Sequence, residues 1–338
     1  MTEKPDRNLA LDLVRVTEAA AISAARFMGL GNRDASDQAA VDAMRLVLQT
    51  VAMDGVVVIG EGEKDEAPML YNGERVGSGF PPAVDVAVDP VEGTNLLALG
   101  RPNAISVIAI AESGAMWQPG PALYMNKIVV EAAAKEAIDI TLSPTQNLYR
   151  IAEVLERPVH ELTVFVLDKP RHAALIAEIR QIGARIALQT DGDVAGALMA
   201  VIPGTGVDVL MGVGGTPEGV IAAAAVKALR GGMQAMYAPQ SSQEQQRLTS
   251  QPEVKLTDVL TLDRLIQADD AFFAATGITD GALLEGIHFD RRGGVTTHSI
   301  VIRALSGSMR YIKGIHQLER EFPFNRAGVA EAVKLVAH

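Results

Sequence analysis

The chain reads as an α/β protein of two lobes, and three observations predict it. Strand, turn and helix follow one another repeatedly in the second half, at 163–172, 185–193 and 207–219, which brings loops and helix starts to the carboxyl ends of strands. In the first half, short apolar runs at 56–59 and 84–88 each lead directly into a group of carboxylates. The length of 338 residues exceeds the ~100–200 of a typical domain, so the lobes are placed at residues 1–150 and 151–338, with a cleft between them.

Composition narrows the function. Hydrophobic content of 48% with 21% charged residues is ordinary for a globular protein in water, and no apolar stretch approaches the ~20 residues that span a bilayer. The segment Thr2-Glu3-Lys4-Pro5-Asp6-Arg7 is polar and has no signal-peptide core, so a cytoplasmic protein that does not engage membranes is expected. The absence of cysteine excludes disulfides, thiolate metal sites and cysteine-nucleophile mechanisms. A net charge of −11 argues against nucleic acid, whose phosphates would be repelled. A small anionic substrate would need local positive charge from a metal or from a few placed cations.

Residues 8–28 carry Leu9, Leu13, Val16, Ala20 and Phe27 near one helical face, with Gly29 and Gly31 ending the helix. A second helix is read over 36–52 from Val41, Met44 and Leu48. Between them Arg33, Asp34 and Asp37 fall on a loop and helix start, with Asp34 or Ser36 as the cap. Val56–Ile59 forms a strand running into Gly60-Glu61-Gly62-Glu63-Lys64-Asp65-Glu66. Glycines around Glu61 let the backbone turn that side chain inward; Glu63, Lys64 and Glu66 read as solvated, leaving Glu61 and Asp65 for chemistry. Val84, Val86 and Val88 then alternate with Asp85 and Ala87 as a half-buried strand. Pro90 has no N–H for the ladder, so the strand is expected to stop at Asp89. A tight bend at Gly93 would let Asp89, Glu92 and Thr94 converge as hard oxygen donors suited to Mg²⁺ or Mn²⁺. The alternative is a strand, a turn and a helix capped by Thr94. Strands near 105–110 and 127–130 extend the first lobe, and Pro144 to Asn147 reads as a hinge.

In the second half, Lys169 and Arg171 flank Pro170 after a strand, two cations that could hold a phosphate. His172 reads as structural. Asp191 and Asp193 either accept bonds from sugar hydroxyls or make a turn and cap the helix from Val194. Gly212, Gly214 and Gly215 precede Thr216-Pro217-Glu218, where Thr216 caps, proline takes the first helical position and Glu218 either serves the helix dipole or has a chemical role. The dinucleotide pattern G-x-G-x-x-G fails because Pro217 stands at its last glycine. Residues 239–253, rich in Gln and Ser, read as a mobile excursion, and 285–303 with 307–313 as a β meander.

Asp37, Glu61, Asp89, Glu92 and Glu218 thus sit at strand ends or helix starts. In one cleft each close pair would repel by ~4 kcal/mol at ~4 Å and an effective dielectric near 20. Divalent ions would resolve that conflict and suit phosphate-ester hydrolysis by activated water.

Through R-V-T-E-A-A (15–20), I-G-E-G-E-K-D-E-A-P-M-L-Y (59–71), D-P-V-E-G-T (89–94), K-P-R-H (169–172), D-G-D-V-A (191–195), G-G-T-P-E-G (214–219) and A-T-G-I-T-D-G (275–281), the chain resembles the class II fructose-1,6-bisphosphatases. Some of these bacterial enzymes also take sedoheptulose 1,7-bisphosphate. The D-P-x-[DE]-G-[ST] element alone is shared with inositol monophosphatases. The resemblance implies a layered α/β/α/β/α fold and a cytoplasmic homodimer or homotetramer. It implies Mn²⁺ or Mg²⁺ held by Asp37 and Glu61 at one site and by Asp89, Glu92 and Glu218 at another. Thr94 and Asp65 would orient and deprotonate water, and Arg33 stands where the family has lysine, its part there electrostatic. Implied substrate contacts are Glu92, Gly93, Thr94, Tyr124, Lys169, Arg171, Asp191, Asp193 and Gly215. Three rival readings are another lithium-sensitive-type sugar or inositol phosphatase, an inert sugar-phosphate-binding module, and an aspartyl-nucleophile phosphatase built on Asp191-Gly192-Asp193.

Overall fold

The structure, a computed structural model, describes residues 8–62, 69–291 and 293–317. In chain order the elements begin with α1 (Ala10–Ala25), α2 (Arg33–Leu48), β1 (Asp54–Ile59), β2 (Arg75–Val76), β3 (Ala83–Glu92), α3 (Thr94–Ala98), β4 (Ile105–Glu112) and β5 (Tyr124–Val130). There follow α4 (Pro144–Val154), β6 (Thr163–Leu167), α5 (Ala173–Gln181), β7 (Arg185–Gln189), α6 (Asp193–Val201), β8 (Val209–Gly215), α7 (Thr216–Ala228) and β9 (Gly232–Tyr237). The last are α8 (Ser242–Thr249), β10 (Leu260–Thr261), α9 (Leu262–Leu265), β11 (Ala271–Gly277), β12 (His288–Phe289), β13 (Gly294–Arg303) and β14 (Ser308–Gln317).

Two mixed sheets organise these elements. One has eight strands in the order β12-β13-β11-β4-β3-β1-β2 with β14 on β13; the other has six, β10-β9-β5-β8-β6-β7. Helices α1 and α2 pack on the outer face of the first sheet against Val57, Val84, Val86, Ile108 and Phe272. Helices α6 and α7 fill the space between the sheets, where alanines allow close approach: Ala195 and Ala197 of one and Ala222 to Ala225 of the other lie in the core with Ala87, Ala109, Val129 and Phe165. Gly196 sits so close to the Phe165 ring, 2.5 Å from a would-be Cβ, that no side chain fits there. Helices α4 and α5 cover the outer face of the second sheet through Leu148, Ile151 and Ile179. The result is the layered α/β/α/β/α arrangement expected.

Several expectations are corrected. β3 does not stop at Asp89. Its pairing with β4 shifts register between Asp89 and Glu92, so the missing N–H of Pro90 falls in a bulge and the strand continues. Nor is it half-buried: Asp85 is enclosed and accepts the Met116 N–H at 3.0 Å, because β3 is covered on both faces. Helix α2 starts at Arg33 with Asn32 as its cap, accepting the Ala35 N–H, where Asp34 or Ser36 was expected. The 144–147 segment forms the start of α4, closed by a Ser143–Gln146 capping box. The excursion at 239–253 contains α8, capped by Ser241. β5 joins the second sheet and β11 to β14 return to the first, so sheet membership does not follow the 1–150 and 151–338 division. Among the described residues no helix is long and apolar enough to cross a membrane.

Candidate active site

Carboxyl ends of β1, β3, β6, β7 and β8 open into one cavity of about 710 Å³ between the two sheets. Arg33 and Asp37 reach it from α2, Glu61 from beyond β1, Asp89, Glu92, Gly93 and Thr94 from the end of β3, and Tyr124 from the start of β5. Lys169, Arg171, Asp191, Asp193, Gly215 and Glu218 come from the second sheet's strand ends and helix starts. Every predicted site residue among those described lines this cavity. Asp65 lies outside the described residues, as do its neighbours Glu63, Lys64 and Glu66.

The carboxylates crowd one another. Asp37 and Glu61 share a side-chain hydrogen bond, and burial raises both. Asp89 is pushed well above the usual carboxylate range by burial and then by the charges of Glu92, Glu218, Glu61 and Asp37, so it faces all four of the others. Burial pushes Glu92 up to about 8, with Asp193, Glu218 and Asp191 adding repulsion and the Val194 N–H opposing it. Glu218 is raised by burial, and the Lys127 ammonium partly offsets this. Among the described residues no three carboxyl or imidazole groups already close on one point as a metal-coordinating set.

The set nevertheless fits a divalent cation. Glu92 Oε2 and Glu218 Oε2 are buried without a hydrogen-bond partner in the protein, and a buried carboxylate oxygen left unpaired is costly. Gly215 makes room for Glu218, whose carboxylate stands where a Cβ at that position would be. A hard cation would satisfy both oxygens and neutralise the mutual repulsion.

Bulge geometry explains why β3 delivers these groups. Asp89 Oδ1 accepts the Val91 N–H at 3.1 Å, inside the bulge. Gly93 has φ of 90°, which a side chain would resist, and turns the chain directly into α3. Gly93 is thus the residue before the helix, and Thr94 does not cap. Its hydroxyl instead donates to the Val91 carbonyl at 3.0 Å, leaving its oxygen free to accept a bond from the cavity side. Glu92 reaches across the sheets, and its Oε1 accepts the Val194 N–H of α6 at 3.0 Å. The acceptor at the start of α6, which one of the two readings of Asp191 and Asp193 assigns to them, is thus supplied by Glu92.

Asp193 is 8% exposed and pairs with Lys127, itself buried, whose Nζ also donates to the Gly215 carbonyl at 2.9 Å. Gly214 leaves no space for a Cβ beside this pair. Asp191 accepts from Lys169 Nζ at 2.9 Å and from Asn95 Nδ2 at 3.0 Å, joining α3 to the second sheet. Arg171 donates to the Val213 carbonyl through Nε and Nη2 and lies over the Tyr124 ring at 5.3 Å. His172 is structural as expected: Nδ1 donates to the Leu167 carbonyl at 2.6 Å and Nε2 accepts the Val213 N–H at 2.8 Å, which sets the neutral tautomer. Thr216 does not cap α7 either; Gly215 holds that position, and the strand passes into the helix without a turn. Lys127 and Asn95 escaped the sequence reading. Lys127 carried a signal, a lone charge inside Tyr-Met-Asn-Lys-Ile-Val-Val.

The model of the family described as "Bacterial fructose-1,6-bisphosphatase, glpX-encoded" matches residues 7–316. The chain belongs to this family. It is 44% identical over 330 residues to "Fructose-1,6-bisphosphatase 1 class 2" of Escherichia coli strain K12, covering 94% of this chain and 97% of that protein. The same identity and coverage hold for "Fructose-1,6-bisphosphatase class 2" of Escherichia coli O6:H1 and of Shigella flexneri. The family match spans both sheets and each element that lines the cavity. Metal dependence is general to class 2 fructose-1,6-bisphosphatases.

Proposed function

We propose that the chain hydrolyses the 1-phosphate of fructose 1,6-bisphosphate, giving fructose 6-phosphate and phosphate, with Mg²⁺ or Mn²⁺ as cofactor. The observation that carries this reading is the shared cavity. Five carboxylates from α2, the end of β1, β3 and α7 face Lys169 and Arg171 across a space of about 710 Å³.

Asp37 and Glu61 would hold one cation, and Asp89, Glu92 and Glu218 another. When bound, such ions polarise the phosphoryl oxygens and lower the pKa of water. The remaining work falls to side chains. Thr94, its proton committed to Val91, would accept a hydrogen bond from the attacking water and fix its direction. Asp65 would take the water's proton. Arg33, exposed at the cavity's edge, contributes charge alone. The substrate would meet Glu92, Gly93, Thr94, Tyr124, Lys169, Arg171, Asp191, Asp193 and Gly215, with Lys169 and Arg171 on the non-reacting phosphate. Asp193 would act by holding the start of α6, because Lys127 already occupies its carboxylate. That engagement, with Asp191 bound to Lys169 and Asn95, also disfavours an aspartyl nucleophile. Assembly as a cytoplasmic homodimer or homotetramer follows the same resemblance.

The test is phosphate release from fructose 1,6-bisphosphate, sedoheptulose 1,7-bisphosphate, inositol phosphate and adenosine bisphosphate, each with Mg²⁺, Mn²⁺ or chelator. The reading expects turnover of the ketose bisphosphate, lost on chelation. Preference for inositol phosphate, or equal rates in chelator, would refute it.

A further inference from the structure

One buried carboxylate ties the Gln- and Ser-rich segment to the wall of the cavity. Glu244, in the first turn of α8, is 3% exposed. Its Oε1 accepts the backbone N–H groups of Leu123 at 2.8 Å and Tyr124 at 3.0 Å, and its Oε2 accepts that of Gln240 at 2.9 Å. The carbonyls of Leu123 and Tyr124 are also engaged, by the N–H groups of Thr216 and Ala238, each at 3.0 Å. All four backbone polar groups of these two residues are therefore fixed from other elements, and Glu244 takes both donors.

Leu123 and Tyr124 are part of the cavity lining, whereas Glu244 is not. The Tyr124 ring supports the Arg171 guanidinium, which also donates to the Val213 carbonyl. A shift of the Tyr124 backbone would thus move the aromatic platform and the cation resting on it. A carboxylate suits this place because it accepts several N–H groups at once and its charge strengthens each bond. A glutamine there keeps one accepting oxygen and turns an NH₂ against another donor.

We infer that Glu244 is a positioning residue for recognition of the substrate's non-reacting phosphate, acting from outside the cavity by setting where Tyr124 and Arg171 stand. This rests on the phosphatase reading above. Glu244 is not part of the cavity lining and touches none of the five carboxylates through a hydrogen bond, so its loss is expected to act on binding of the second phosphate and not on the hydrolytic step.

Wild type, Glu244→Gln and Glu244→Asp are assayed with fructose 1,6-bisphosphate and with p-nitrophenyl phosphate, an ester lacking a second phosphate. In Glu244→Gln, KM for the bisphosphate rises about tenfold, while kcat and the p-nitrophenyl phosphate rate stay within about twofold of wild type. Glu244→Asp, which keeps the charge, gives a smaller rise. Combined with Arg171→Met, Glu244→Gln adds little beyond Arg171→Met alone, because both act on one contact. Equal losses on both substrates, an unchanged KM, or effects that multiply would each overturn the inference. Should wild type release no phosphate from the bisphosphate, the functional reading falls, and this inference with it.

Discussion

Removing the cation while raising pH should destabilise this protein in a way that Glu92 reports. Its carboxyl, 3% exposed, is raised from an ordinary 4.5 to about 8 by burial and by the neighbouring acids. A raised carboxyl favours the folded state fully below pH 4.5, where both states are protonated, and that advantage is lost as pH climbs through about 8. At about 1.4 kcal/mol per tenfold step the loss approaches roughly 5 kcal/mol by pH 9 as an upper bound. With an unfolding entropy of about 2.1 cal/mol/K per residue, a chain of 338 residues would melt up to about 7 °C lower. The assay is thermal unfolding in chelator at pH 5.5, 7 and 9, for wild type and Glu92→Gln. The amide of that variant keeps an oxygen to accept the Val194 N–H, so the comparison isolates the ionisable group. Wild type should lose several degrees more than the variant between pH 5.5 and 9, and a divalent cation should remove the difference. Parallel slopes for the two proteins in chelator would refute the claim that buried charge at Glu92 is what the cation relieves.

Three further outcomes follow from the same geometry. Thr94→Val, which deletes the hydroxyl bound to the Val91 carbonyl, should lower kcat by about 10²–10⁴ with KM little changed, whereas Thr94→Ser should recover most of the rate; steady-state kinetics on the bisphosphate decide it. Lys127→Met leaves Asp193 charged and enclosed, so stability should fall by about 3–5 kcal/mol, read as a lowered denaturation midpoint, and Asp193→Asn in the same chain should restore part of it. Gly215→Ala should displace the Glu218 carboxylate, whose atoms stand where the new methyl must go. Calorimetric titration with Mn²⁺ should then show weaker binding at one class of sites, and wild-type affinity would contradict the placement of Glu218.

What the sequence disclosed of this site, and what it hid, divides along physical lines. Asp89, Glu92, Glu61 and Glu218 were legible because each marks an abrupt passage from apolar strand to glycine or proline, a local signal that needs no knowledge of the partner strand. The bulge at Pro90 was not, since whether a missing N–H ends a strand depends on what the neighbouring strand offers opposite, and β4 lies beyond α3 and a further loop. Helix caps failed for a related reason. Asp193 and Thr216 looked like caps from their own neighbourhoods, yet Glu92, remote in sequence, supplies the acceptor for α6, while Lys127 claims Asp193. Ser241 and Glu244 did spell the S-x-x-E start of a helix inside a stretch read as an excursion. The glutamate's partners, Leu123 and Tyr124, lie about 120 residues earlier, and no local pattern could have shown them. The acids proposed for chemistry announce themselves at strand ends, whereas the charges paired across the chain, Lys127 with Asp193 and Lys169 with Asp191, became visible only once the chain was folded.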